Sequence, residues 1–414
     1  MTSVADETTS AVVQRRTLRL LFATQIVSGM GVAIGSSVGA LLAADLAGVG
    51  LSGLAQSAAV VGGALAAIPA TAIVHHHGRR PSLAAAYGVA AIGALLVVLA
   101  AVRGSLPLVF LGFFLFGGAT AANLQARYTA VDLAPAALRG RHLSLIVWAT
   151  TIGAVAGPHL AAPAGVALSP FGIPTLAAPY FFSAVLFVIT GVAVLTLLRP
   201  DPALVAGTAG ADSGAHRSLR AGLSAIIARA TAVLGVTAMA VGHMVMVGIM
   251  AMTPVHIRGA GYDAAHTLRI VGVVISVHIA GMYAFAPLIG WLTDRLGRRL
   301  LIFAGIALLL TACVLAGGAG YDNARLGAGL FTVGLGWSCT MVAGSTLLTE
   351  SVPLERRASA QGLSDLIMGL AGASAGALSG VVVSAWGYPV LALVAAIATV
   401  PLIVLGVAIR VELT

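Results

Sequence analysis

The sequence predicts an all-α membrane protein: twelve transmembrane helices in two pseudo-symmetric halves of six. Three observations carry that expectation. Of the 414 residues, 59% are hydrophobic and 8% charged, whereas soluble domains carry about 25% charged residues, so most of this surface cannot face water. Apolar stretches of about 20 residues, the length that crosses a bilayer core, recur from Leu20 to the C-terminus. One loop signature then appears twice, 219 positions apart.

Taken in order, the spans lie at about 20–43, 51–74, 82–102, 106–130, 142–164, 176–198, 230–254, 267–291, 299–318, 324–349, 359–385 and 387–409. Helix is expected in each, because a backbone in lipid must satisfy its own hydrogen bonds. The first span follows a polar stretch, 1–19, with no cleavage pattern, so no removable signal peptide is expected. The second runs into Thr71-Ala-Ile-Val-His75-His76-His77-Gly78-Arg79-Arg80, and the fourth precedes Pro135-Ala-Ala-Leu-Arg139. The sixth leads into a polar, Gly- and Ala-rich linker. The eighth runs into Gly290-Trp-Leu-Thr-Asp294-Arg295-Leu-Gly297-Arg298-Arg299, and the tenth precedes Pro353-Leu-Glu-Arg-Arg357.

The two loop pairs sit 219 and 218 positions apart. A near-constant offset means a duplicated six-helix unit, a design in which the substrate site lies between the repeats. The expected organisation is a cytoplasmic N-terminal tail (1–19), a first bundle (20–198), a cytoplasmic linker (199–229), a second bundle (230–409) and a cytoplasmic tail (410–414).

The formal charge of +9 does not point to nucleic acid. All 22 basic residues are Arg, and 17 of them fall in the two tails and the even-numbered loops. Four lie at the odd-numbered loops (Arg103, Arg258, Arg269, Arg325), and Arg127 lies near the end of the fourth span. By the positive-inside rule both termini face the cytoplasm. Cys313 and Cys339 form no C-x-x-C pair and no disulfide framework, and read as small core residues.

The second loop, Gly290-x-x-x-Asp294-Arg295-x-Gly297-Arg298-Arg299, resembles the gating-loop signature of the major facilitator superfamily. With twelve spans, a duplicated loop and a central linker, the resemblance covers nearly the whole chain. It implies a secondary transporter rather than an enzyme, two halves rocking around a midplane site, and no cofactor. It is specific for fold and weak for substrate. The first copy of the loop departs from the pattern: Thr71 replaces the first Gly, and His75 and His76 replace the acidic and basic positions. A gating ion pair made there in relatives is expected to be absent or altered. Gly112 stands where many proton-coupled relatives place an Arg. The triplet His75 to His77 reads as a solvated loop beside Arg79 and Arg80, with a metal-receiving site as the alternative.

The seventh and eighth spans carry the chemistry. Met239, His243, Met246 and Met250 recur at i, i+4, i+7 and i+11, one face of a helix. His278 and Met282 follow on the next span at i and i+4, about 5–6 Å apart at Cβ. Counting helical rise from the outer ends puts Met250 and Met246 roughly 9 and 15 Å deep, and His278 and Met282 roughly 18 and 24 Å deep. The Met pair would be an outer station and the His–Met pair an inner one. Thioether and imidazole are soft, neutral donors that suit copper and disfavour Mg²⁺, Ca²⁺ or Mn²⁺, and neutral ligands avoid the cost of a carboxylate at mid-membrane. Against this, Met fills irregular helical gaps well, and chance supplies one M-x-x-x-M in roughly four such chains.

M-x-x-x-M followed by H-x-x-x-M on consecutive spans resembles the paired signature of the bacterial CcoA-type copper importers, falling on Met246, Met250, His278 and Met282. The resemblance implies a multi-pass protein of a bacterial inner membrane that imports copper, typically toward assembly of a haem–copper oxidase, and acts as a monomer. That family's helper thiols have no counterpart here, since neither span carries Cys. Members of the same branch without the Met/His pairs carry organic solutes such as riboflavin.

Other intramembrane polar groups are few. Asp365, early in the eleventh span, is expected either to pair with Arg127 or a helix end, or to couple transport to protons. His159 follows Gly153-x-x-x-Gly157-Pro158 on the fifth span, which partly resembles the superfamily's antiporter signature, and is a further candidate ligand beside Met239 and His243. Gln25, Asn123 and Gln125 are candidate cavity-lining groups. Partners are the lipid bilayer and either a copper ion or a small organic molecule. A proton-coupled porter of an organic solute is the competing reading.

Overall fold

The computed structural model describes residues 4–135, 138–207 and 219–409, and all regular structure among them is helical. The tail 410–414 and the middle of the linker lie outside the described residues. Twelve helices are long and apolar enough to cross a membrane. They are α1 (Val4–Ala47), α2 (Val49–His77), α3 (Arg79–Arg103), α4 (Leu106–Thr129), α5 (Arg139–Phe171) and α6 (Ala178–Leu197). The second set is α7 (Ala230–Arg258), α8 (Ala264–Leu296), α9 (Arg298–Gly317), α10 (Asn323–Ser351), α11 (Arg357–Trp386) and α12 (Tyr388–Ala408).

The repeat is visible in the backbone. Gly78 separates α2 from α3 with φ of 89°, and Gly297 separates α8 from α9 with φ of 90°. An L side chain rarely adopts this region, so each Gly of the duplicated loop allows one helix to end and the next to start within a single residue.

The chain divides into two compact units. The first contains 1–42, 58–212 and 264–272. In it α3 packs on α4 and α6, and a buried polar chain ties four helices together. Gln25 donates to the Tyr87 hydroxyl (2.9 Å), Tyr87 and Ser28 donate to Asn123 Oδ1 (3.0 and 2.8 Å), and Thr150 donates to Gln25 Oε1 (3.1 Å). Gln25 and Asn123 thus hold helices together instead of lining a cavity as expected. Gly153 and Gly157 let α5 approach the backbone of α1 at Ile26 and Met30, the close packing that small residues permit.

The second unit contains 43–57, 213–263 and 273–414, with α10 packed on α7 and α9, and α7 packed on α11. The division departs from the sequence halves at two places. Residues 43–57 group with the second unit because Gly53 lies against the backbone of Gly376 and Gly380, Ser57 donates to Ala373 O, and Arg258 reaches Asp45 at 3.5 Å. Residues 264–272 group with the first because Gly272 lies against the backbone of Pro158 and His159.

The predicted tail and linker both carry helix among their described residues. The described part of the predicted N-terminal tail is continuous with α1, and Gln14 is buried there, donating to Ala130 O at 2.7 Å and to His142 Nδ1 at 3.1 Å. The linker contributes two short helices, Pro202–Val205 and Leu219–Ile227. Asp201 accepts from the backbone N–H groups of Arg79, Arg80 and Ala203 at 3.1, 2.7 and 3.0 Å. Its carboxylate sits at the start of α3, where unpaired N–H groups favour an anion.

Candidate functional site

Helix α10 positions the candidate ligands of the second unit. Gly334 on α10 lies directly against the α8 backbone at His278 O and Met282 N, and Gly281 on α8 lies against Phe331 O. On the other contact, Gly242 of α7 lies against the Thr340 side chain and Gly235 against the Gly344 carbonyl. No side chain at either glycine pair would fit without moving a helix.

This packing sets the imidazole of His278. The residue is fully buried, and Nδ1 lies 2.8 Å from the carbonyl oxygen of Leu330. A carbonyl only accepts, so Nδ1 carries the proton and Nε2 is a bare lone pair. That Nε2 is buried and has no hydrogen-bond partner among the described residues. Met282, one turn further along the same helix, is 8% exposed. The helix breaks just after it: α8 is regular over Ala264–Tyr283 and again over Ala286–Leu296. Pro287 accounts for the break, since its ring excludes the carbonyl four residues back and it has no N–H to give.

The depths differ from those expected. Helix α7 runs opposite to α10, so the Gly242–Thr340 contact places Met246 level with residue 336 and Met250 level with residue 332. Helix α8 runs with α10, placing His278 level with Leu330 and Met282 level with Gly334. Along α10 from its first residue toward its last the order is His278, Met250, Met282, Met246, in steps of about 3 Å. The Met pair and the His–Met pair therefore interleave along α10; they do not form an outer and an inner station. Counting helical rise presumes matching helix ends, and only interhelical register reveals the offset. Met246 is 3% exposed and Met250 half-buried.

The two further candidates on α7 have other roles. Trp337 of α10 donates its indole N–H to His243 Nδ1 at 3.2 Å, so the lone pair is on that nitrogen and is already engaged. His243 also fills the space left by Gly372 on α11. The Trp337 ring meets Tyr283 of α8 edge-on at 5.7 Å, so its bulk touches both α7 and α8. Met239 belongs to an apolar cluster with Ile226, Leu348 and Val352, the gap-filling use of methionine. Trp337 was missed from the sequence because nothing in its own span marks it as a histidine's partner.

His159 is exposed on a 3-10 turn, Gly157–Leu160, that interrupts α5 in the first unit. Asp365 is exposed on α11 in the second. Two cavities lie in the first unit: an apolar one of about 320 Å³ among α2, α3 and α4, and a mixed one of about 440 Å³ at the Arg-rich ends of α1 and α5. Neither is lined by a candidate ligand. Among the described residues no three His, Cys, Asp or Glu side chains converge, so thioethers would have to complete any metal site. The His75 to His77 triplet ends α2 instead of lying in a loop, and the His76 and His77 rings meet edge-on with centroids 6.2 Å apart.

Each copy of the duplicated loop holds a two-pronged Arg–carboxylate pair. Arg298 pairs in a two-pronged manner with Glu350 (3.0 and 2.6 Å) and lies 3.5 Å from Asp294. Arg299 donates to Gly406 O at 3.0 Å, and Arg295 stands over the Trp291 ring. In the first copy Arg79 makes the same two-pronged contact with Asp132 (2.9 and 3.0 Å) and donates to Gln125 at 2.7 Å. The first copy thus keeps one ion pair, Arg79 with Asp132, while His75 stands where the second copy has Asp294, so the pair there is altered and not absent. The signal was available: Arg79 and Arg298 are 219 apart, and Asp132 and Glu350 218 apart.

A family model described as Major Facilitator Superfamily matches residues 21–268 and 264–413. The chain belongs to the major facilitator superfamily. It is a multi-pass secondary transporter and not an enzyme. Among its relatives in this superfamily, an uncharacterized MFS-type transporter of Bacillus subtilis, YdeG, is 36% identical over 393 residues, covering 94% of this chain and 90% of the relative. The riboflavin transporter RfnT of Brucella anthropi is 26% identical over 368 residues, 87% of each chain. The fold is similar to solved superfamily structures. The nucleoside transporter NupG matches with TM-score 0.70 at 17% identity, covering 96% of this chain and 98% of that one. A D-xylose–proton symporter matches with TM-score 0.69 at 17% identity, covering 92% and 96%.

Proposed function

We propose that this transporter imports copper, bound as Cu(I) by His278 and Met282 with thioether help from Met250 and Met246. One observation carries the reading: the bare, buried Nε2 of His278, one helical turn from a buried Met thioether. Leaving such a nitrogen unpaired costs about 1–3 kcal/mol. Metal-binding histidines have this arrangement, one ring N–H fixed on a carbonyl and the other nitrogen free to ligate. Nitrogen and thioether donors without thiolate select Cu(I) and hold it weakly enough to release it. Location supports the same reading, because transporter sites cluster at breaks in spanning helices and α8 breaks directly after Met282. The Arg distribution favours cytoplasmic termini, and an inward-moving ion would be delivered there for uses such as haem–copper oxidase assembly.

Copper accumulation in cells tests the proposal. Cells expressing the wild-type chain should accumulate more copper than cells expressing His278→Ala with Met282→Ala, and equal accumulation would refute it. A second reading, uptake of an organic solute, draws on the relative named as a riboflavin transporter. Copper-independent flavin uptake into liposomes holding the purified protein would favour that reading.

A further inference from the structure

Independently of the cargo, we propose that the first unit carries a binding site for an anionic phospholipid at the Arg-rich ends of α1 and α5. The cavity of about 440 Å³ there is lined by Leu18 of α1 and by Arg141, His142, Ser144, Leu145 and Trp148 of α5. The α5 residues recur at i, i+1, i+3, i+4 and i+7, so they share one face of the helix. The lining divides by chemistry. Arg141 and His142 form a polar end, and Leu18, Leu145 and Trp148 form an apolar wall.

The polar end is built to donate. Gln14 directs an amide N–H at His142 Nδ1, at 3.1 Å, while the other N–H is held by Ala130 O. Nδ1 is therefore the acceptor, and the ring proton sits on Nε2. His142 lines the cavity as a fixed N–H donor beside the exposed guanidinium of Arg141. None of the six lining residues is acidic. Arg15, one turn before Leu18, and Arg19 are exposed on α1 and add to the positive field.

The apolar wall decides the class of ligand. Trp148 is 62% exposed and Leu145 39%, and Trp148 lies about 14 Å along α5 from Arg139, far enough inside the span to face acyl chain while Arg141 faces the headgroup. A free inorganic anion has no use for that wall, and a zwitterionic lipid gains less from the arginines. A phosphate ester carrying net negative charge and an acyl chain uses both ends, and basic side chains near the surface attract such lipids by about 1 kcal/mol each.

Native mass spectrometry of the detergent-purified full-length protein reads the binding. Phosphatidylglycerol and phosphatidylcholine with identical acyl chains are the probes. Phosphatidylglycerol should bind more tightly, and Arg141→Gln with Trp148→Ala should weaken it about fivefold or more, the factor that one basic side chain supplies. Arg103→Gln, exposed at the other end of α3, should leave it unchanged. If the double variant does not fold, the single Arg141→Gln variant carries the same comparison. Equal binding of the two lipids, a variant matching wild type, or displacement of the lipid by inorganic phosphate would each overturn the proposal.

Discussion

His278 on α8 donates Nδ1–H to the carbonyl oxygen of Leu330 on α10 across 2.8 Å, and this single bond leaves Nε2 bare inside the unit. His243, two turns from Met250 on α7, has the opposite arrangement: its Nδ1 lone pair accepts from Trp337 at 3.2 Å. Two intramembrane histidines on neighbouring spans are thus chemically distinct, although the sequence presents them alike.

The contrast predicts an unequal effect of mutation. His278→Ala should reduce copper affinity at least tenfold, the weight of one ligand. His243→Ala should change affinity less than threefold while lowering thermal stability, because it leaves the Trp337 N–H without its acceptor. Isothermal titration with Cu(I) in a competing chelator, alongside thermal unfolding, separates the two.

Replacing Met282 with Leu keeps the packing and removes the sulfur. Volume-conserving swaps of this kind usually cost less than about 1.5 kcal/mol, so the melting temperature should barely move. Copper affinity should still fall about tenfold. Equal loss of both would mean that Met282 matters only as a packed side chain.

The two loop ion pairs differ in burial and should differ in weight. Arg79 and Asp132 are 14% and 8% exposed, whereas Arg298 and Glu350 are 27% and 49% exposed. Breaking a buried pair costs about 3–5 kcal/mol, and an exposed one about 0–1 kcal/mol. Asp132→Ala should therefore lower the unfolding temperature in detergent far more than Glu350→Ala.

Asp201 and Gly78 form a matched pair. Gly78 has φ of 89°, and a Cβ there would lie 2.6 Å from Asp201 Oδ2. Gly78→Ala should destabilise by at least about 1–2 kcal/mol from backbone conformation alone. Asp201→Ala should do so by about 0.5–2 kcal/mol, the usual range for a lost helix cap, and Asp201→Asn by less. Thermal unfolding of the three variants checks the order.

Much of this was legible in the sequence. Spans could be counted because lipid demands about 20 apolar residues in helix, and the offset between Arg79 and Arg298 announced the repeat. The Met and His stripe was visible at helical spacing. Its depth was not, because depth depends on how Gly242 and Gly334 seat α7 and α8 against α10. The role of Trp337 was hidden for the same reason: its bond to His243 joins residues distant in the chain. Grouping of 43–57 with the second unit arises from Gly53 meeting Gly376, and no local pattern around Gly53 signals that contact.

The most direct test of the copper reading is the metal content of the purified protein by inductively coupled plasma mass spectrometry after Cu(I) loading and desalting. The wild-type chain should retain about one copper per molecule, and the His278→Ala, Met282→Ala variant close to none. Equal copper in the two proteins, or none in the wild type under conditions where it remains folded, would contradict it.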